Sequence, residues 1–155
     1  GAPSGDSSVT ATATGRSGGL VDVADASVDA YHAADVNLTV AGNTNIFGGN
    51  VEIISNSSIG VSAISDGRGG GFASIGEATA DAEGFNSNIL NINNNANITA
   101  LNTLSVKGNT ASNVTAYSES NRGGFIAGVG GDSDATLSYV ANININSESA
   151  VLHHM

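Results

Sequence analysis

The chain has 155 residues, of which 14 are acidic and 4 basic, giving a formal net charge of −10. That balance excludes a basic footprint for nucleic acid and a basic patch for anionic membranes. The absence of Cys removes disulfides, thiolate nucleophiles and cysteine metal sites together. Charged residues make up 12% and aromatic residues 5%, so Gly, Ala, Ser, Thr and Asn must build a thin interior of regularly stacked small side chains. Apolar residues reach 40% and fall in alternating runs, which separates the chain from disordered sequences. No stretch nears the ~20 apolar residues of a membrane-spanning helix, which argues against membrane insertion. No signal-peptide pattern is present, and the opening Gly1-Ala2-Pro3-Ser4 reads as that of a processed or excised piece.

In chain order, residues 1–8 read as a leader or linker, 9–60 as a first repeat, 61–113 as a second and 114–155 as an incomplete third. Each copy opens on an alternating strand: Val9-Thr10-Ala11, then Val61-Ser62-Ala63, then Val114-Thr115-Ala116. Next comes an Arg and Gly marker: Arg16-Ser17-Gly18-Gly19, Arg68-Gly69-Gly70-Gly71 and Arg122-Gly123-Gly124. Glycines 19, 71 and 124 are spaced by 52 and then 53 positions. Ala30, Ala82 and Ala135 keep that register, as do Leu38/Val40, Leu90/Ile92 and Ile143/Ile145. Ile46 aligns with Ile98 and Val151, and Val51-Glu52-Ile53 with Leu104-Ser105-Val106, which the third copy lacks.

The alternation has period two throughout, and helical stripes do not persist. Strands recurring at fixed spacing predict an all-β fold, a parallel β-helix (β-solenoid) built from 52–53-residue repeats. Equivalent side chains would stack in ladders about 4.8 Å apart. Either one coil of about 52 residues or two of about 26 satisfies the pattern.

The segments Val36–Ser58 and Ile89–Ser112 read as strand, Asn-rich turn, strand, turn, strand, and resemble the coils of filamentous-haemagglutinin-type repeats. The Ala/Thr/Ser runs before Gly-Gly-Leu and Gly-Gly-Phe resemble segments of large exported bacterial adhesins. The resemblance covers most of the chain from Val9 onward. It implies a right-handed parallel β-helix at the bacterial surface or outside the cell, used as a stalk. Expected partners are neighbouring repeats or identical subunits end to end.

The markers Arg16, Gly18, Gly19, Arg68, Gly70, Gly71, Arg122, Gly123 and Gly124 are read as structural corners. There the glycines would take positive φ, and the arginines, in register, would bond carbonyls and nearby carboxylates such as Asp66 and Glu119. The alternative is a basic stripe that holds host or matrix glycans. Phosphate cradling would require a helix after the glycines, and none is expected.

Acidic residues follow the glycines, and Gly130-Gly131-Asp132-Ser133-Asp134 faintly resembles a calcium turn, making Asp132 and Asp134 calcium candidates. No other cofactor is expected. Catalysis is not expected either. A polysaccharide lyase would need basic and acidic groups in one groove, His32 has no counterpart, and His153-His154 sit at the end. Ice binding is disfavoured because the Thr10, Thr12, Thr14 ladder breaks in the next copies. Asn37, Asn56, Asn97 and Asn113 occupy glycosylation sequons, which matter only in a eukaryotic secretory route. The Asn runs are read as turns and amide ladders.

Overall fold

A computed structural model describes the backbone of residues 4–146 and 151–154 and the side chains of 7–146. Among these residues the chain is all β, without a helix. The strands are β1 (Ser4–Val23), β2 (Ala26–Val40), β3 (Asn45–Ile92), β4 (Asn97–Gly123), β5 (Ile126–Ile145) and β6 (Val151–His154). They form one six-stranded sheet in which every pairing is parallel. β3 is central, with β1 and β2 along one edge and β4 and β5 along the other. β1 begins at Ser4, so residues 4–8 belong to the paired strand.

Pairing follows the repeat. Val9 lies beside Val61 and Val61 beside Val114; Leu38 lies beside Leu90 and Leu90 beside Ile143. Partners are thus 52 or 53 positions apart, so the stacking unit is a whole copy, not a half-copy of 26. The step from 52 to 53 falls at one irregularity: Gly48 pairs with Ala100, but Asn50 with Thr103. A further residue enters beyond Ile92↔Ile145, because the next observed pair is Asn97↔Val151. Ile98 therefore lies beside Leu152, one residue past the expected Val151.

Within β3, the leg before the Gly corner faces the leg after it. Asn88 Nδ2 donates to the Ser55 carbonyl (3.2 Å), and Ser57 Oγ donates to Asn86 Oδ1. Two apolar clusters fill the gap. The larger joins Val40, Val51, Ile53, Leu90, Ile92, Ala96, Ile98 and Ala100, near the Asn turns. The smaller, towards the Gly corner, contains Ala30, Val61, Ala63, Ala80 and Ala82. Between them lies a buried polar band of Ser55, Ser57, Asn86 and Asn88. Asn86 Nδ2 also donates to the Ala111 carbonyl (3.0 Å), and Asn88 Nδ2 to the Asn109 carbonyl (2.7 Å), so both amides tie β3 to β4. Asn86 is satisfied at both ends of its amide, which offsets the cost of its burial, whereas Asn88 Oδ1 and Ser55 Oγ are buried without a partner.

The reversal near the larger cluster uses asparagine. Asn43 and Asn95 hold φ of 61° and 64°, the left-handed region that Asn tolerates better than most residues. Among the described residues no glycine has positive φ. The expectation that the Gly pairs supply it is therefore corrected: what Gly71 and Gly124 supply is room.

Candidate functional site

The Gly corner, the acidic face beside it and the open edges of the sheet gather most of the candidate residues. At the corner, Arg16 pairs with Arg68, and both lie on the outer face. Arg68 Nε donates to Asp66 Oδ1 and Oδ2 at 2.9 and 2.8 Å. This hydrogen bond first, and the Asp66 charge second, raise the guanidinium above its ordinary pKa.

Arg122 behaves differently, which corrects the reading of three arginines in register. It pairs with Gly69, and Asn121 takes the place beside Arg68. A shift of one residue turns a side chain to the other face of a strand. Arg122 is accordingly part-buried between the legs, where Nη2 donates to the Ala24 carbonyl, 98 positions away. Ala24 belongs to the first copy and Arg122 to the third, so this side chain passes the middle copy. Two glycines open the way: a Cβ at Gly69 would stand 2.7 Å from Arg122 Nη1, and one at Gly76 would collide with the same guanidinium and with the Ala24 carbonyl. Asp22, buried beside them, accepts from Ser74 Oγ at 3.1 Å.

The marker glycines divide into two kinds. Gly18 and Gly70 have ordinary room for a Cβ, and at Gly123 nothing lies within 4 Å. A Cβ at Gly124 would come within 2.5 Å of the Gly71 carbonyl, and one at Gly71 would strike the Gly19 carbonyl. A Cβ at Gly19 would be 3.5 Å from the Val21 carbonyl, an ordinary contact. Gly71 and Gly124 thus let successive copies approach at the corner.

Beyond the corner the outer face turns acidic. Asp29 pairs with Asp81 and Asp81 with Asp134, making a column of three carboxylates; Ser27, Thr79 and Asp132 form the neighbouring column. These residues line one shallow trough, which places the calcium candidates Asp132 and Asp134 side by side on it. Among the described residues no three His, Asp or Glu groups are arranged to hold a metal ion.

The remaining candidates are placed as follows. His32 lies on the inner side of the first copy, with Nε2 2.5 Å from Ser7 Oγ. The side chains of His153 and His154 lie outside the described residues. Thr12, Ile64 and Tyr117 share one column, so the Thr ladder ends after one copy. Tyr117 OH donates to Glu119 Oε2 at 3.0 Å, and that bond first, then the carboxylate charge, raises the phenol above its ordinary pKa. Amide ladders link Asn109 to Asn56 (2.7 Å) and Asn144 to Asn91 (2.9 Å).

The buried asparagines Asn86 and Asn88 and the passage glycine Gly76 were not singled out from the sequence. Period-two parity could have found the asparagines, since Asn86 and Asn88 share the even-numbered face of Leu90 and Ile92. Counting 53 positions from Arg68 to Asn121 would have turned Arg122 inward.

The open edges carry the largest contrast in burial. Leu90, stacked on both sides, is fully buried, whereas Ile143 in the same ladder is 45% exposed on the outer edge. No known family, characterised protein or solved structure matches the chain. Among the described residues no helix is long and apolar enough to cross a membrane.

Proposed function

We propose that this chain is a structural, non-catalytic segment of a parallel β-solenoid rod, acting as a stalk or fibre outside the cell or on its surface. In this reading each copy of about 52 residues is one coil, and the outer edges continue into further coils, supplied by more repeats or by identical subunits end to end. The contrast between Leu90 and Ile143 carries the proposal: one ladder position is sealed where copies lie on both sides and left wet where one side is open. Unpaired strand edges are templates for further pairing, and a repeat buries its core only against neighbours. The acidic composition without cysteine suits a soluble exported rod. A glycan-binding role gains less support, because the stripe of three arginines it needed has lost Arg122 to the interior.

Sedimentation velocity and negative-stain microscopy over rising protein concentration test the proposal. Rods that lengthen with concentration and diffract at about 4.8 Å along their axis are expected. Ile143→Lys, which places a charge on the open edge, should shorten them. Monomers alone at every concentration would overturn the end-to-end assembly.

A further inference from the structure

The Gly corner carries an apolar ridge that neither the core nor the open edges use. Leu20, Phe72 and Phe125 follow the marker glycines on the outer side, and Leu20 and Phe125 are 82% and 84% exposed. The rings of Phe72 and Phe125 stack at 5.6 Å with planes 14° apart, so the column is continuous across copies. Val23, Ile75 and Ile126, also exposed, widen it along the following leg. Exposed apolar strips of this extent mark contact surfaces.

The flanks of the ridge differ in charge: arginines stand on one side, where Arg68 is also held by Asp66, and carboxylates alone stand on the other. On the leg before the corner stand Arg16 and Arg68, one above the other; on the leg after it stand Asp25 and Glu77, where the Glu77 N–H donates to Asp25 Oδ1 at 3.0 Å. The two pairs lie on opposite sides of the same ridge.

We propose that the ridge joins this molecule side by side to a second copy of itself, about a two-fold axis parallel to the stacking direction. That rotation sets ridge against ridge and keeps equivalent copies level. It also carries the arginine side of each molecule to the acidic side of the other, so Arg16 and Arg68 meet Asp25 and Glu77 of the second copy. A two-fold perpendicular to the stacking direction and across the ridge would instead oppose arginine to arginine. Elsewhere an acidic surface repels a second molecule of net charge −10, so the neutral ridge with its mixed rim is the line of approach that charge favours. An isologous contact of this kind closes on itself. It yields pairs whether or not the molecules also stack end to end.

The protein has no cysteine, so a single introduced thiol reports one contact. Phe72→Cys should oxidise to a disulfide-linked pair, and Thr79→Cys, on the acidic face, should not. Arg68→Glu should weaken pairing roughly tenfold, the scale of a few rim charges reversed, and Arg68→Glu with Glu77→Arg should restore it. Ile143→Lys, aimed at the open edge, should leave the Phe72→Cys pair intact, which separates this contact from end-to-end stacking. No disulfide from Phe72→Cys, or as much from Thr79→Cys, would overturn the proposal. So would a chain that stays monomeric while binding phosphatidylcholine vesicles through the ridge.

Discussion

The two reversals of the first two copies make opposite use of the same small residues. At the Asn-turn end the chain turns through left-handed Asn43 and Asn95, and the space inside is filled by Val, Ile, Leu and Ala. At the Gly corner no residue has positive φ, and the interior holds Asp22, Ser74 and the guanidinium of Arg122. One end is held by apolar volume, so its cost of error is a cavity. The other is held by polar contacts threaded through glycine gaps, so its cost of error is a collision. A thin sheet interior can be closed either by filling it or by leaving atoms out.

Substitutions can sharpen this contrast or break it. The largest effect is expected at the apolar end: Leu90→Ala should lower stability by about 2–5 kcal/mol in thermal or denaturant unfolding. Ile143→Ala in the same ladder should cost about 1 kcal/mol or less, because water already reaches it. At the corner, Gly76→Ala should cost about 1–3 kcal/mol by forcing the Arg122 side chain aside. Gly70→Ala, with ordinary room for its methyl, should be neutral or stabilise by up to about 1 kcal/mol. Equal effects at the two glycines would show that room is not what the corner requires.

Smaller effects follow at the turn and on the faces. Asn95→Val should cost about 1–2 kcal/mol, since a branched side chain resists φ of 64°, whereas Asn95→Gly should be tolerated. On the acidic column, Asp81→Asn removes the middle of three stacked carboxylates. It should stabilise by about 0.2–1 kcal/mol at low salt, fading as salt screens the charges. The smallest signal is spectroscopic. Tyr117 should ionise above the ordinary phenol range, because its hydroxyl donates to Glu119. The contact holds below the unfolded phenol pKa and is lost as pH rises through the raised folded value. An ultraviolet titration of Glu119→Gln should show the phenol moving back towards its usual value.

Much of the pairing was legible in the sequence because it repeats. Val9, Val61 and Val114 look alike, keep one spacing and sit on strands of period two, and they stack as that pattern required. What misled was identity taken over count. Arg122 resembles Arg68 but stands 54 positions on, in a stretch paired at 53, and that single residue exchanges outside for inside. His32, without a counterpart in the other copies, lies on the inner side because of its parity. The glycines were recognised as a corner, but turn chemistry suggested dihedral freedom where the demand was close approach. That demand comes from a partner about 52 residues distant, which no local window contains. The buried amides Asn86 and Asn88 escaped because Asn beside Ser normally signals a turn.

The irregularity between Gly48 and Asn50 has a consequence for how such a chain tolerates change. One surplus residue inside a leg would exchange lining for surface along everything up to the next turn. Here the surplus is taken up between Gly48↔Ala100 and Asn50↔Thr103, and the strand resumes with Val51 and Leu104 both towards the interior. The site works as an expansion joint: length can be added there without disturbing the courses on either side. A short foreign peptide inserted after Gly49 would therefore be displayed from the side of the molecule while the ladders around it kept their alignment.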